Sequence, residues 1–440
     1  MCATGYATLG TSCVECIDAG LNVLVLIVLI GLAALLCYML IKSAKVSDEQ
    51  AQLTAAESSK QEKKGSLGVI FKVTMNYLQM LYYLGRLAAN WSDIVERLFA
   101  AVGIVGAFSA NNFSVRCAAN WRFYDILMMM YISPIVIVAV LAGIYLCIHI
   151  IHSKDLRHTK MDFQHAAMLL LYQVHPTIML EVIGSFPCTD VPGTGTSFLK
   201  EDMNVDCKSA EYKSFAAISS LYLFFYLFGM LVVVVWRLRI HHKSGDLDIP
   251  SSSSFQKYAF FFVGYRGKTY FWEAVVMMRK LGIVAFSVMS SPALQLVFGI
   301  VIVTIAWVLN AQWSPYSSNL VNRMDSIALI ALYVTIILGF LFLNTDNSNS
   351  TWITVLLVLV NTATIVFLLS LCAQRIREYA SKWFAALDVD MSKWRRTTTG
   401  LSRGDKDSST HGIVLQDRKT AKVSRLSTAP QQQEMSLDSW

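Results

Sequence analysis

Glu273, Arg279 and Lys280 interrupt one apolar run, Tyr270-Phe-Trp-Glu-Ala-Val-Val-Met-Met-Arg-Lys. On a helix Glu273 and Lys280 are one heptad apart and share a face, while Arg279 lies about ten residues, or ~15 Å, along the axis. A charged side chain in mid-hydrocarbon costs about 2.5–3.5 kcal/mol. Two adjacent cations at that depth therefore need a carboxylate, water or a lipid phosphate. One solution pairs Arg279 with a bidentate carboxylate or phosphate and neutralises Lys280 with Glu273. The other makes the run an interfacial helix start whose cations snorkel to water.

Two further stretches place polar groups among apolar ones. Lys72, Asn76, Gln79 and Tyr83 follow spacings that put them on one helical face. They suit either a water-lined path or a structural role, with Lys72 snorkelling and the amides bonding neighbouring helices. His165, Gln173, His175, Pro176 and Glu181 share another run. Proline frees a backbone carbonyl and can hinge a helix, and His175 can sense pH or serve as a hydrogen-bonded structural residue. His149 and His152 have metal-ligand spacing but no third ligand nearby. No phosphate loop, nucleophile elbow or His-Glu-x-x-His motif occurs, so neither enzyme, cofactor nor metal centre is expected.

These groups need a scaffold, and the composition of the 440-residue chain dictates which. It is 55% hydrophobic and only 15% charged, which excludes an ordinary soluble protein. The apolar residues gather into blocks long enough to cross a bilayer. The expected fold is an all-α polytopic helix bundle of about nine spans: Leu21 to Ile41, Leu67 to Leu87, Ile126 to Ile151, Phe163 to Gly184, Ser214 to Trp236, Tyr270 to Ser290, Ala293 to Ala311, Ser326 to Leu343 and Trp352 to Cys372. The bundle occupies residues 21–373. The apolar segment Leu98 to Phe108 is too short for a tenth span and reads as an outer helix lying on the membrane or the bundle.

The net charge of +7 reports orientation rather than nucleic-acid binding, because 27 of the 37 Lys and Arg residues fall on one set of connecting segments and 6 on the other. The N-terminus is then outside and the C-terminus cytosolic. Sequons at Asn90, Asn112 and Asn349 fall outside, where they can be glycosylated. Cys2, Cys13, Cys16, Cys117, Cys188 and Cys207 are also outside, and a Cys188–Cys207 disulfide is expected across the connecting loop. Cys37, Cys147 and Cys372 lie in spans as packing residues. Residues 1–20 read as an extracellular cysteine-rich stub, the end of a larger ectodomain encoded upstream.

After the last span, residues 374–396 carry apolar positions at helical spacing with Arg375, Arg377, Lys382, Arg395 and Arg396 around them. That pattern suits a basic amphipathic helix on the anionic inner leaflet. The Ser/Thr/Gln-rich residues 397–440 are expected to be disordered.

Phe71-Lys-Val-Thr-Met-Asn-Tyr-Leu-Gln79, Phe186-Pro-Cys with Phe198-Leu-Lys-Glu-Asp and Cys207, Phe271-Trp-Glu with Arg279-Lys280, and Pro315-Tyr316 with Asp325 resemble, in that order, the membrane region of transient receptor potential (TRP)-like proteins. The nearest are large protist proteins with cysteine-rich ectodomains and, more distantly, the nine-span fungal TRP-like family. The resemblance covers roughly residues 1–375. It implies a cation channel or membrane sensor in a plasma membrane or endomembrane, with inorganic cations, membrane lipids and further copies of the chain as partners. Only Asn344 to Thr351 separate the last two spans, too few for a pore helix and filter, so any conduction path is built differently. A carrier or lipid-handling protein, and a non-transporting adhesion receptor, are the competing readings.

Overall fold

The structure is a computed structural model that describes residues 6–9, 12–15, 67–87, 89, 91–106, 123–152, 156–190, 193, 195–249, 252–289, 291–344 and 350–403. The expected first span, Leu21 to Ile41, the sequons at Asn90, Asn112 and Asn349, and Cys2, Cys16, Cys37 and Cys117 lie outside them.

The described residues are mostly helical. The helices are α1 (Leu67–Gly85), α2 (Asp93–Gly106), α3 (Phe123–His152), α4 (Leu156–Ile183), α5 (Ala210–Tyr222), α6 (Gly229–Lys243), α7 (Ser253–Phe262), α8 (Trp272–Phe286), α9 (Pro292–Trp313), α10 (Asn319–Leu343) and α11 (Ser350–Arg403). A π-helical turn, Leu223–Phe228, joins α5 to α6. Two short 3-10 turns, Asp246–Asp248 and Gly267–Thr269, and two small antiparallel hairpins are also present: β1 (Tyr6–Leu9) with β2 (Ser12–Glu15), and β3 (Cys188–Asp190) with β4 (Ser197–Leu199).

Six helical segments among the described residues are long and apolar enough to cross a membrane: Phe123–Ile150, Lys160–Ile183, Ala210–Lys243, Pro292–Trp313, Asn319–Leu343 and Thr351–Glu378. Two further expected spans are helices of a different kind. α1 has 19 residues, and nearly all of them from Val69 to Leu84 are buried. A helix ringed by protein needs no lipid-facing stripe and can carry polar residues on several sides. α8 has only 15 residues and buries Glu273, Arg279 and Lys280.

The chain divides into two units, Met1–Glu378 and Tyr379–Trp440. In the first, α1 packs against α2, α8 and α10, and α4 against α3, α7 and α8. α2 runs antiparallel to α1, since a Cβ on Gly85 would meet Phe99, one on Gly103 would meet Tyr82, and one on Gly106 would meet Leu78. At one end of the bundle the α7–α8 connection crosses the start of α1. There Gly264, with φ +94°, lies where a Cβ would strike Val69, so only glycine fits both the space and the backbone. Ser317 N donates to Gly264 O at 3.0 Å and Arg266 N to Pro315 O at 2.8 Å, tying this connection to the α9–α10 turn. At the opposite end Trp91 packs on Gly339 and Phe342 of α10, and Arg86 pairs with Glu201 at 2.6 Å. The Cys188–Cys207 disulfide, Cα to Cα 6.5 Å, closes the loop at that same end.

In the second unit the described residues are the last part of α11, which ends at Arg403. Helix there includes residues 397–403, the first part of the segment expected to be disordered. The side chains of Lys382, Arg395 and Arg396 lie outside the description.

Candidate functional site

α1 and α8 both begin at the end of the bundle where α7 lies, and their polar stripes face each other in register. Lys72, one turn into α1, forms an ion pair with Glu273, in the first turn of α8. Asn76 and Gln79, further along α1, hold Lys280, further along α8. The same seven-residue step thus separates Lys72 from Gln79 and Glu273 from Lys280.

Glu273 is 1% exposed and Lys72 6%, and a buried charge of this kind needs both a counter-ion and hydrogen bonds. Glu273 has them. Tyr172 OH of α4 donates to Oε1, and Tyr265 OH donates to Oε2 at 2.8 Å. Burial pushes the Tyr265 phenol well above its ordinary value, with the Glu273 carboxylate adding to the effect, so it remains a donor. Lys72 Nζ also donates to Phe260 O of α7 at 2.8 Å and lies 4.7 Å from the ring centroids of Phe260 and Tyr265. That is a cation–π cage around a paired ammonium.

Lys280 is fully buried, yet its hydrogen-bond acceptors are neutral. Its Nζ donates to Asn76 Oδ1 and Gln79 Oε1, both at 2.6 Å, and faces the Tyr172 ring. Arg279 points elsewhere. Its Nη2 donates to Asp325 Oδ1 of α10 at 3.2 Å, with both side chains buried. The two acidic and three basic groups therefore form two ion pairs and one amide-bound ammonium.

Two sequence expectations are corrected here. Glu273 and Lys280 form no direct ion pair, because Lys72 on the facing helix holds the carboxylate, and Glu273 acts on Lys280 only through space. Arg279 does meet a carboxylate, but through a single contact rather than a bidentate fork, leaving Nε and Asp325 Oδ2 buried without hydrogen-bond partners. Lys72 does not snorkel, since α7 and the Tyr265 connection cover it.

The remaining candidates lie around this network or beyond it. The His175 ring lies 5.0 Å from that of Tyr226 in the π turn, tilted by 30°. With Tyr172, Met230, Val234, Met277 and Glu273 it lines a small cleft between α4, α6 and α8. Glu181 lies toward the opposite end of α4, within electrostatic reach of Arg86. Arg375 pairs with Glu378 at 2.7 Å, and Arg377 is exposed. Among the described residues, no group of three or more His, Cys, Asp or Glu is placed to hold a metal ion.

Tyr172, Tyr265, Phe260 and Asp325 were missing from the candidate residues read in sequence. Asp325, quoted in the sequence only as part of the resemblance, carries the clearest signal: it is a lone carboxylate at the start of an apolar run, and Arg279 needs such a partner. The aromatic residues carry none, because tyrosine is as common in ordinary cores.

No protein-family model, curated protein or solved structure matches this chain. The buried charges and their geometry are thus the basis for a functional reading.

Proposed function

We propose that the protein is a TRP-like integral membrane protein, a cation channel or membrane sensor whose conformational state is set by the Lys72–Glu273 and Arg279–Asp325 pairs and by Lys280. The supporting observation is the burial of five ionisable side chains at the junction of α1, α8 and α10. Packing alone does not call for them, since apolar residues of similar volume stabilise a bundle equally well or better. Ionisable groups inside a membrane bundle mark ion pathways, relays and voltage or pH sensors.

In this reading α1 and α8 complete the membrane domain with the six apolar helices, and Leu21 to Ile41 supplies the ninth span. The Lys72 end faces the cytosol, where the excess of Lys and Arg lies. The disulfide end faces outward, into the oxidising compartment. The two supports are independent, and they agree.

A carrier or lipid-handling role is the second reading. The small cleft between α4, α6 and α8 favours it, because a mainly apolar lining meets Tyr172, His175 and Glu273 there. Reconstitution of the purified full chain into planar bilayers separates the two. Cation current supports the channel, whereas movement of a lipophilic substrate without current supports the carrier.

A further inference from the structure

Lys280 is bound in the way proteins bind a free monovalent cation. Its two acceptors are amide oxygens at 2.6 Å, with an aromatic face at 5.5 Å, while the carboxylates nearby accept from Lys72 and Arg279. Neutral oxygens and a π face replace a hydration shell at direct contact, while the Glu273 carboxylate acts on the cation only through space. Asn76 also turns its oxygen toward the ammonium although its Nδ2 is then buried without a hydrogen-bond partner. A buried donor left this way is costly, so the cation sets the orientation of the amide.

α2 brings a second feature to the same depth. It starts at the Arg86 end, runs back along α1, and ends at Gly106 beside Leu78 and the Gln79 backbone. Its 14 residues span ~21 Å, short of a ~30 Å hydrocarbon layer. Its carbonyl end, with the partial negative charge of the helix dipole, lies inside the bundle, where Gly106 is buried. Gln173 Nε2 donates to Gly106 O at 3.3 Å and Gln79 Nε2 donates to Gln173 O at 3.1 Å. One hydrogen-bonded chain thus joins the tip of α2 to the amide that holds Lys280. Half-length helices ending within a membrane bundle present such termini to ions away from bulk water.

We infer that Asn76 Oδ1 and Gln79 Oε1, with the Tyr172 ring beside them and the carbonyl end of α2 joined to them through Gln173, form a mid-membrane site for a small monovalent inorganic cation, sodium or potassium, which the Lys280 ammonium occupies as a tethered stand-in. The inference rests on the transport reading, since it names the ligand class of the same network. With Lys280 in place the site is closed, and displacement of its side chain opens it.

Thermal unfolding of the full chain in nanodiscs tests this, in sodium, potassium or N-methylglucamine chloride at equal ionic strength. Lys280→Ala should show a saturable rise in its unfolding midpoint of several degrees in sodium or potassium over N-methylglucamine. The parent should show none, and the added substitution Asn76→Leu should abolish the rise. The difference between the sodium and potassium arms identifies the preferred ion. Lys280→Gln serves if the alanine variant does not fold. A folded variant with the same midpoint in all three salts overturns the site. So does failure of both variants to fold in any salt, because a dissolved cation should replace the ammonium. Current from the parent is read separately: a conducting parent with no cation effect in Lys280→Ala removes the site and leaves the channel reading, whereas a cation-specific shift in a protein without current does the reverse.

Discussion

At the scale of single residues, Glu273 divides the buried charge. Glu273→Gln leaves the Lys72 ammonium without its counter-ion, a loss on the order of 3–5 kcal/mol when one partner of a buried pair is removed. Lys72→Met combined with Glu273→Gln should restore most of that stability. A thermal or denaturant double-mutant cycle reads the coupling, and additive losses would show that the two do not interact. Arg279 invites a different comparison. Arg279→Lys and Asp325→Asn should both impair activity at near-normal surface density, because the Arg279 side chain reaches α10 through one guanidinium nitrogen that lysine does not place equivalently. Parental activity in both variants at equal surface density would reduce the pair to an anchor. Each residue of this site except Asp325 and the aromatic partners stands out in the sequence as a polar group in an apolar run. The pairing does not, because it depends on which helix faces which. Heptad spacing within α8 suggests Glu273 with Lys280, whereas the in-register stripe on α1 takes both.

Helices α1, α2 and α8 show why element boundaries and roles are harder to read than element existence. α1 and α8 are visible in sequence as helices, yet their polar faces are explained only by their neighbours. α2 begins at Asp93, a turn before the apolar stretch that announces it, since Asp93 and Glu96 favour a helix N-terminus while hiding its hydrophobic signal. Its antiparallel seat on α1 depends on glycine. A Cβ at Gly103 would fall 2.5 Å from the Tyr82 ring, whereas one at Gly143 of α3 would meet nothing within 4 Å. Gly103→Ala should therefore lower stability by about 1–3 kcal/mol through overpacking, and Gly143→Ala should be neutral or slightly stabilising. Unfolding midpoints of the two variants in the same lipid provide the check, and equal midpoints would contradict the packing of α2. The π turn at Leu223–Phe228 left no mark in the sequence, because its residues Leu-Phe-Phe-Tyr-Leu-Phe suit an ordinary apolar helix equally well.

For the whole molecule, composition makes the membrane class legible and the distribution of Lys and Arg proposes a sidedness, while the arrangement of helices around α1 depends on packing between distant segments. Peptide mapping without reductant should recover Cys188 linked to Cys207, and a tag at Trp440 should label only after the cells are permeabilised. Labelling on intact cells would invert the proposed orientation. The most direct test of the buried network as a functional device is current from the purified full chain in planar bilayers, parent against Glu273→Gln at equal incorporated protein. A network that sets the conducting state should give parental cation current that falls about tenfold in the variant, the effect of ~1.4 kcal/mol on an equilibrium. Equal currents from the two folded proteins, or transport of substrate by the parent with no current at all, would contradict it.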